Sequence, residues 1–279
     1  MTQTASTPRP RPTESAKSVL LTMLGEFVLP NGGEVWTGTL VDGLAALGYS
    51  DRNARQAIAR LRDDGVIAPE KHGRKTRWRL TDDGDRLLRD GAERIYQFGR
   101  RTEPWDGRWL VVVCSIPESQ REKRRRFQTQ LAFAGFGFLS STIAVSPHLS
   151  AEQTANEVLE RLRLVDMAIV LRAETGMVTP DGELLGRSWD LDALGSSYEQ
   201  FVATFGAVEP VGPETSFCEM IRLVHAWRHF PFSDPELPAE LLPPGWAGNV
   251  ARHLFDDARV TWSTEATVHY KRLEARHDR

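Results

Sequence analysis

"SDRNARQAIARLRDDGVI", residues 50–67, reads as a single helix with a marked start and a marked stop. Ser50 is a good N-cap, Asp51 suits the positive end of the helix dipole, and Gly65 stands where a left-handed C-terminal cap is wanted. On a helical wheel Ala54, Ala57, Ile58 and Leu61 fall on one side. Arg52, Gln56 and Ala59 fall opposite, flanked by Asn53 and Arg60, with Arg55 and Arg62 on the other shoulder. Any polar side chains would keep such a face soluble. This face carries the types that read base edges through paired hydrogen bonds, Arg on guanine and Asn or Gln on adenine, and Ala59 is small enough to meet a thymine methyl.

The flanking segments supply the rest of a module. Residues 15–29 (SAKSVLLTMLGEFVL) are amphipathic at helical spacing, and the loop "PNGGEVW" breaks them with a proline and two glycines. A second helix is predicted at Thr37 to Leu47, with Leu40, Val41, Leu44 and Leu47 on its buried face, and "GYS" turns the chain into the helix at residue 50. Downstream, "VIAPEKHGRKTRWRLT" predicts two short strands, Val66 to Lys71 and Lys75 to Thr81, around a turn at Gly73. Three helices followed by a hairpin describe a winged helix-turn-helix. Its basic wing offers Lys71, His72, Arg74, Lys75 and Arg77 as phosphate contacts, which give affinity and salt dependence without sequence choice. The same module also serves in protein–protein interaction, and a solvated helix beside an ordinary basic hairpin is the plainer reading of each part alone. Their adjacency favours DNA.

Charge supports this assignment only when taken locally. The chain has 279 residues and a net charge of −3, yet residues 50–80 carry nine Lys and Arg against four Asp and Glu, so positive charge is concentrated in that segment. Hydrophobic residues at 41% and charged ones at 26% are the balance of a globular protein of two or three domains. No apolar run approaches the ~20 residues that span a bilayer, and the N-terminus lacks the apolar core of a signal peptide, so a cytoplasmic protein without a membrane partner is expected. Cys114 and Cys218 lie far apart in apolar stretches and read as buried small hydrophobes. Residues 1–14, rich in proline, read as a disordered arm.

Beyond the wing, "RWLVVVCSI" reads as a buried strand, residues 119–134 as a helix, "GFGFLSSTIAVS" as a second strand, residues 151–164 as a helix and "DMAIVLRA" as a further strand. A βαββαβ ferredoxin-like closure follows, with one strand not obvious. The run "REKRRR" at 121–126 reads as the exposed face of its helix in preference to a second DNA contact.

Four separated motifs give a family resemblance. The hairpin closes in "LTDDG", followed by "RIY" and by "WDGRW" before a strand ending in "IPE". "FAGFGFLSSTIAVSPH" occupies 133–148 and "HAWRHFPFSDPELPAELLPPGWAG" 225–248. In this order they resemble the phenylacetic acid catabolon repressor (PaaX) family, over about Ser15 to Phe255. The resemblance implies an α+β bacterial repressor with four segments: the arm 1–14, a winged helix at 15–98, a ferredoxin-like central and dimerisation domain at 104–178, and a mostly helical effector-binding domain at 183–279. It implies a repressor of an aromatic-compound catabolic operon, released by phenylacetyl coenzyme A or another aromatic acyl coenzyme A; a homodimer with two recognition helices in successive major grooves, and so a palindromic operator, is expected. The DNA-reading role carries over to Arg52, Asn53, Arg55, Gln56 and Arg60.

Other chemistry is weakly supported. The central fold resembles small CRISPR-associated ferredoxin-like nucleases, which hold metal on an aspartate near the end of the first strand. Here that stretch reads "LVVVCSIPE", and Glu118 alone is a poor substitute for clustered carboxylates. No catalytic triad, phosphate-cradling glycine loop or Cys–His zinc spacing occurs, so neither a catalytic group, a resident metal nor a cofactor is expected. His225 and His229 stand four apart on an expected helix, with Glu219 and His253 as further donors, but structural histidines are the better reading. For an acyl coenzyme A, composition offers Arg187, Arg222 and Arg228 with Trp189 and His225, and Trp227, Phe230, Phe232 and Trp246 are numerous enough to line an apolar pocket or to build core. The proline-rich stretch 230–246 reads as a strap over the core or as a wall of that pocket.

Overall fold

A computed structural model describes residues 14–100 and 104–278; the arm expected at the N-terminus lies, through residue 13, outside them. Helix and strand are mixed, and the chain divides into two compact units, residues 1–97 with 204–228 and 253–279, and residues 98–203 with 229–252.

In the first unit, helix α1 (Ala16–Met23) begins at Ser15, whose Oγ accepts from the Ser18 N–H at 3.2 Å, and buries Val19, Leu20 and Met23. It runs on through a π turn at Leu24–Val28 and a 3-10 turn at Leu29–Asn31, where Pro30 and then Gly32 in the left-handed region end it. The stretch expected as a loop then contains a strand, β1 (Glu34–Trp36). Helix α2 (Thr37–Ala46) buries Leu40 and Leu44 fully, whereas Val41 is only half-buried. Gly43 packs against Met23: a Cβ there would stand 2.6 Å from Cε of Met23, whose side chain would have to shift. Helix α3 (Asp51–Asp63) starts on Ser50, whose Oγ accepts from the Asn53 N–H at 3.2 Å, and buries Ala54, Ala57, Ile58 and Leu61. Gly65 at φ 74° turns the chain into strands β2 (Ile67–His72) and β3 (Lys75–Leu80), a hairpin whose last pair is His72 opposite Lys75. The sheet order is β1-β3-β2, all antiparallel, with Val35 opposite Trp78. Thr81 caps helix α4 (Asp82–Gln97), accepting from the Gly84 N–H at 2.9 Å.

The second unit begins with strand β4 (Trp109–Cys114), helix α5 (Arg121–Phe133), strands β5 (Gly137–Ser140) and β6 (Ile143–Ser146), helix α6 (Glu152–Leu162) and strand β7 (Ala168–Ala173). These form an antiparallel sheet in the order β5-β6-β4-β7. The stretch expected as one strand is therefore two, turned at residues 141–142, and it supplies the strand that the sequence left unassigned. Along β4 the pleat sends Leu110, Val112 and Cys114 against Phe127 and Leu131 of α5 and Val158 and Leu159 of α6. Trp109 faces the other side, toward Val145 and toward Leu184 and Leu185 of helix α7 (Asp181–Ser188). Leu237 and Leu241, from the proline-rich stretch, cover the same side.

Helix α8 (Leu191–Phe205) follows α7, and helix α9 (Pro213–Trp227) follows α8. The proline-rich stretch holds only one short helix, α10 (Phe230–Ser233), and a 3-10 turn at Ala239–Leu241; helix α11 (Ala247–His277) completes the chain. The compact units cut across the expected segment 183–279, because its apolar residues have two destinations. Phe217 and Tyr270 lie 4.8 and 5.5 Å from the ring of Phe27 in the first unit, where Trp227 also stacks on Phe255 at 4.7 Å. Phe230 stacks on Tyr198 at 4.0 Å in the second. Both cysteines are free and buried.

Candidate nucleic-acid interface

The five residues expected to read bases all project from α3 into solvent, opposite the buried seam of Ala54, Ala57, Ile58 and Leu61. They are not equivalent. Arg55 donates from Nε and Nη2 to the Asp51 carboxylate at 2.7 and 3.2 Å. The side chains of Arg52, Asn53, Gln56 and Arg60 have no partner among the described residues. Residues three and four apart share a helix face, so Asn53, Gln56 and Arg60 align along one stripe and Arg52 flanks it at the first turn. The stripe forms one wall of a groove of about 540 Å³, completed by Ser15 and Lys17 at the start of α1 and by Tyr49. Lys17 is paired with Asp64, the C-cap of α3. The four side chains of Arg52, Asn53, Gln56 and Arg60 lie on the face of α3 opposite its buried seam and form a polar surface without partners among the described residues.

The hairpin is cationic but less free than its composition suggests. Lys71 and Arg74 are exposed and without a partner among the described residues. His72 lies 3.5 Å from the Glu70 carboxylate. Arg77 pairs with Glu34 at 3.3 Å across the β1–β3 ladder. The Lys75 ammonium donates to the carbonyl oxygen of His277 at 2.9 Å. Trp36, almost fully buried, gathers three of these groups: the Arg77 guanidinium at 5.3 Å, the Lys75 ammonium at 5.8 Å and the His72 ring edge-on at 5.4 Å. The sequence offered no signal for this role of Trp36, which sits in the segment read as a loop.

The residues named for an effector fall in both units. In the second unit Arg187 pairs with Glu183 at 3.7 Å, and Trp189 lies 6.2 Å from Trp109. In the first unit Arg222 pairs with Glu219. Also there, buried His225 places Nδ1 3.0 Å from Thr22 Oγ1 and Nε2 3.3 Å from Glu14 Oε2. Arg228 donates to Ser18 Oγ at 2.6 Å, and burial pulls its guanidinium pKa down. His225 and His229 are not on one helix: α9 ends at Trp227, and His229 is the N-cap of α10. Among the described residues no three or more His, Cys, Asp or Glu side chains are grouped so as to hold a metal. Trp246 meets Tyr198 at 5.9 Å and Phe232 meets Phe133 at 5.8 Å, so these aromatics are spread over several clusters. The basic stretch at the start of α5 is partly neutralised, Arg124 by Glu118 at 2.8 Å and Arg125 by Glu122 at 2.9 Å.

One polar cluster inside the first unit was not foreseen. Glu26, on the π turn, accepts from the hydroxyl of Tyr96, and the Arg259 guanidinium covers the Tyr96 ring at 3.8 Å. Burial raises the Glu26 carboxyl above its ordinary pKa, opposed by the Tyr96 hydrogen bond and by the charge of Arg259.

Comparison with known proteins gives consistent matches. A family described as PaaX-like protein matches residues 15–84, one described as PaaX protein central Cas2-like domain matches 102–185, and one described as PaaX-like protein C-terminal domain matches 189–272. The chain is 31% identical over 254 residues to the transcriptional repressor PaaX of Escherichia coli (strain K12), covering 86% of this chain and 78% of that one. The solved structure of uncharacterized protein Rv0674 from Mycobacterium tuberculosis superposes with a TM-score of 0.57 at 20% identity, covering 91% of this chain and 96% of the other; that likeness shows the fold.

Proposed function

The chain belongs to the PaaX family of transcriptional repressors, and on that premise we propose that it is a ligand-responsive repressor that reads its operator with α3. Membership makes it a regulator of transcription and not an enzyme. Among the described residues no helix is long and apolar enough to cross a membrane.

The observation that carries the DNA-reading proposal is the free polar stripe on α3 beside a cationic hairpin. In this reading α1, α2 and α3 with the β2–β3 hairpin are a winged helix-turn-helix, and α3 enters the major groove. Arg52, Asn53, Gln56 and Arg60 meet base edges there. Arg55 contacts DNA from within its ion pair with Asp51. Lys71, His72, Arg74, Lys75 and Arg77 lie toward the phosphates. A homodimer places two copies of α3 in successive major grooves, so the operator is an imperfect palindrome with half-sites about one helical turn, or a multiple of it, apart. The target is an operon for breakdown of an aromatic compound, and the effector an aromatic acyl coenzyme A such as phenylacetyl coenzyme A; the family resemblance supports both. The effector must favour one state over the other, since a ligand that binds both equally releases nothing.

The test is fluorescence anisotropy with the chain's own upstream DNA and a scrambled fragment, at two salt concentrations, with and without phenylacetyl coenzyme A. Tight, salt-sensitive, selective binding that the thioester abolishes is the expected result. Failure to select any upstream fragment overturns the operator reading, and selective binding indifferent to the thioester overturns the effector.

A further inference from the structure

The hairpin is held from a distant part of the chain. The last turn of α11, with Asp278 just past it, meets β1, α2 and Lys75 beside the hairpin turn through polar contacts, all inside the first unit. Glu274 Oε1 accepts from the backbone N–H of Trp36 at 3.4 Å, and Asp278 Oδ1 accepts from its indole Nε1 at 3.1 Å. His277 donates from Nε2 to Asp42 Oδ2 at 2.9 Å, and Arg276 reaches the same oxygen at 3.2 Å. The His277 ring lies so close to α2 that a Cβ at Gly38 would collide with it. Lys75, on the hairpin itself, completes the set through the His277 carbonyl.

These interactions converge on the segment that carries the hairpin. Trp36 ends β1, which pairs with β3, and its ring gathers His72, Lys75 and Arg77. Thr37, the next residue, donates from Oγ1 to the Thr76 carbonyl at 3.0 Å and accepts from Trp78 Nε1 at 2.9 Å. A cation fixed against a ring and a helix end loses less side-chain freedom when it meets a phosphate, so it binds that phosphate more strongly.

We propose that the last turn of α11 is a positioning element for DNA binding: Trp36, Asp42 and His277 set the hairpin cations in the geometry in which they meet phosphate. This rests on the DNA-binding reading. The same turn acting as a competitor that shields Lys75 from DNA is less consistent with its charges. Glu274 and Asp278 are both directed at Trp36 N–H groups and not at the hairpin cations, and Arg276 is paired with Asp42.

The experiment compares the wild type with His277→Ala, Gly38→Ala, Trp36→Phe and Asp42→Asn in three measurements: binding to operator and scrambled DNA across a salt series, thermal unfolding, and amide exchange of residues 71–76. For every phosphate that the protein no longer neutralises, the weakening of binding between 50 and 200 mM salt becomes about three- to fourfold smaller. His277→Ala and Gly38→Ala are expected to neutralise at least one phosphate fewer on both DNAs and to exchange faster in the hairpin. Base preference should stay unchanged. Trp36→Phe, which keeps an aromatic ring but not the indole N–H, should fall between, and Asp42→Asn, which still accepts from His277, should stay near wild type. A change in melting temperature alone would mark a merely structural role and overturn the proposal, as would unaltered salt dependence or tighter binding in the first two variants. If the wild type selects no DNA, the repressor reading fails separately, and hairpin exchange alone decides whether this turn orders it.

Discussion

Replacing Gln56 with Ala isolates base reading from everything else α3 does. The side chain is exposed and makes no hydrogen bond or ion pair among the described residues, so the fold loses no polar interaction when it is shortened. Alanine favours the helix by at most about 0.7 kcal/mol, so thermal stability should hold or rise slightly. On DNA the expected loss is different. A paired hydrogen bond from an amide side chain to adenine discriminates by about 1–3 kcal/mol, which is roughly a 5- to 150-fold change in the dissociation constant. Because Gln is neutral, its removal releases no fewer counterions, and the slope of log affinity against log salt should not move. Anisotropy titrations on the operator, on single-base variants of it and on scrambled DNA, each at several salt concentrations, separate these effects. The expected outcome is a loss confined to the operator, with relaxed preference at one base position in each half-site. Equal losses on operator and scrambled DNA, or a shallower salt slope, would show that Gln56 does not face a base edge, and the orientation assigned to α3 would be wrong.

Arg74→Ala should reduce the salt slope by about 0.9 and weaken all sequences alike. Lys75→Ala should likewise weaken all sequences, because the Trp36 ring and the His277 carbonyl hold its ammonium in place for a phosphate; an unchanged salt slope would show that this cation does not reach DNA. Leu61→Ala removes a fully buried side chain and should cost about 2–5 kcal/mol in urea unfolding. It should leave the base preference of the folded fraction intact. Glu26→Gln tests the buried cluster: a carboxyl whose pKa is raised on folding contributes stability that is whole below its ordinary value of 4.5 and is lost as pH rises through the raised value. Gln still accepts from Tyr96 and cannot ionise. Melting curves between about pH 4 and about pH 8 should therefore show the variant gaining on the wild type as pH rises, and parallel curves would refute the assigned direction.

What the sequence reveals of this molecule follows from the range of the interactions that make it. Helix α3 is legible to within a few residues because its cap, its seam and its stop all lie inside one short stretch. Strand β1 is not, since three residues cannot display a period of two, and only its pairing with β3 makes it a strand. Strands β5 and β6 merge on reading because Ser141 and Thr142 separate them without a glycine, proline or asparagine to mark the turn. Residues 204–228 and 253–279 join the first unit through rings such as Phe217 and Tyr270 on Phe27, and an apolar stripe says only that something must cover it. The same distinction divides the interface. The polar stripe of α3 is a local property, and the structure leaves it as free as the wheel predicts. The hairpin cations are also local, but their availability is not, because Glu34, Trp36 and His277 that engage them come from elsewhere. Of the five basic residues expected to meet phosphate, the fold leaves Lys71 and Arg74 without a partner among the described residues and ties Lys75 and Arg77 into the unit. The electrostatic footprint on DNA therefore depends on how those tied side chains are held as well as on the charge count, and the measured salt slope, which counts phosphates neutralised, is the quantity that reports it.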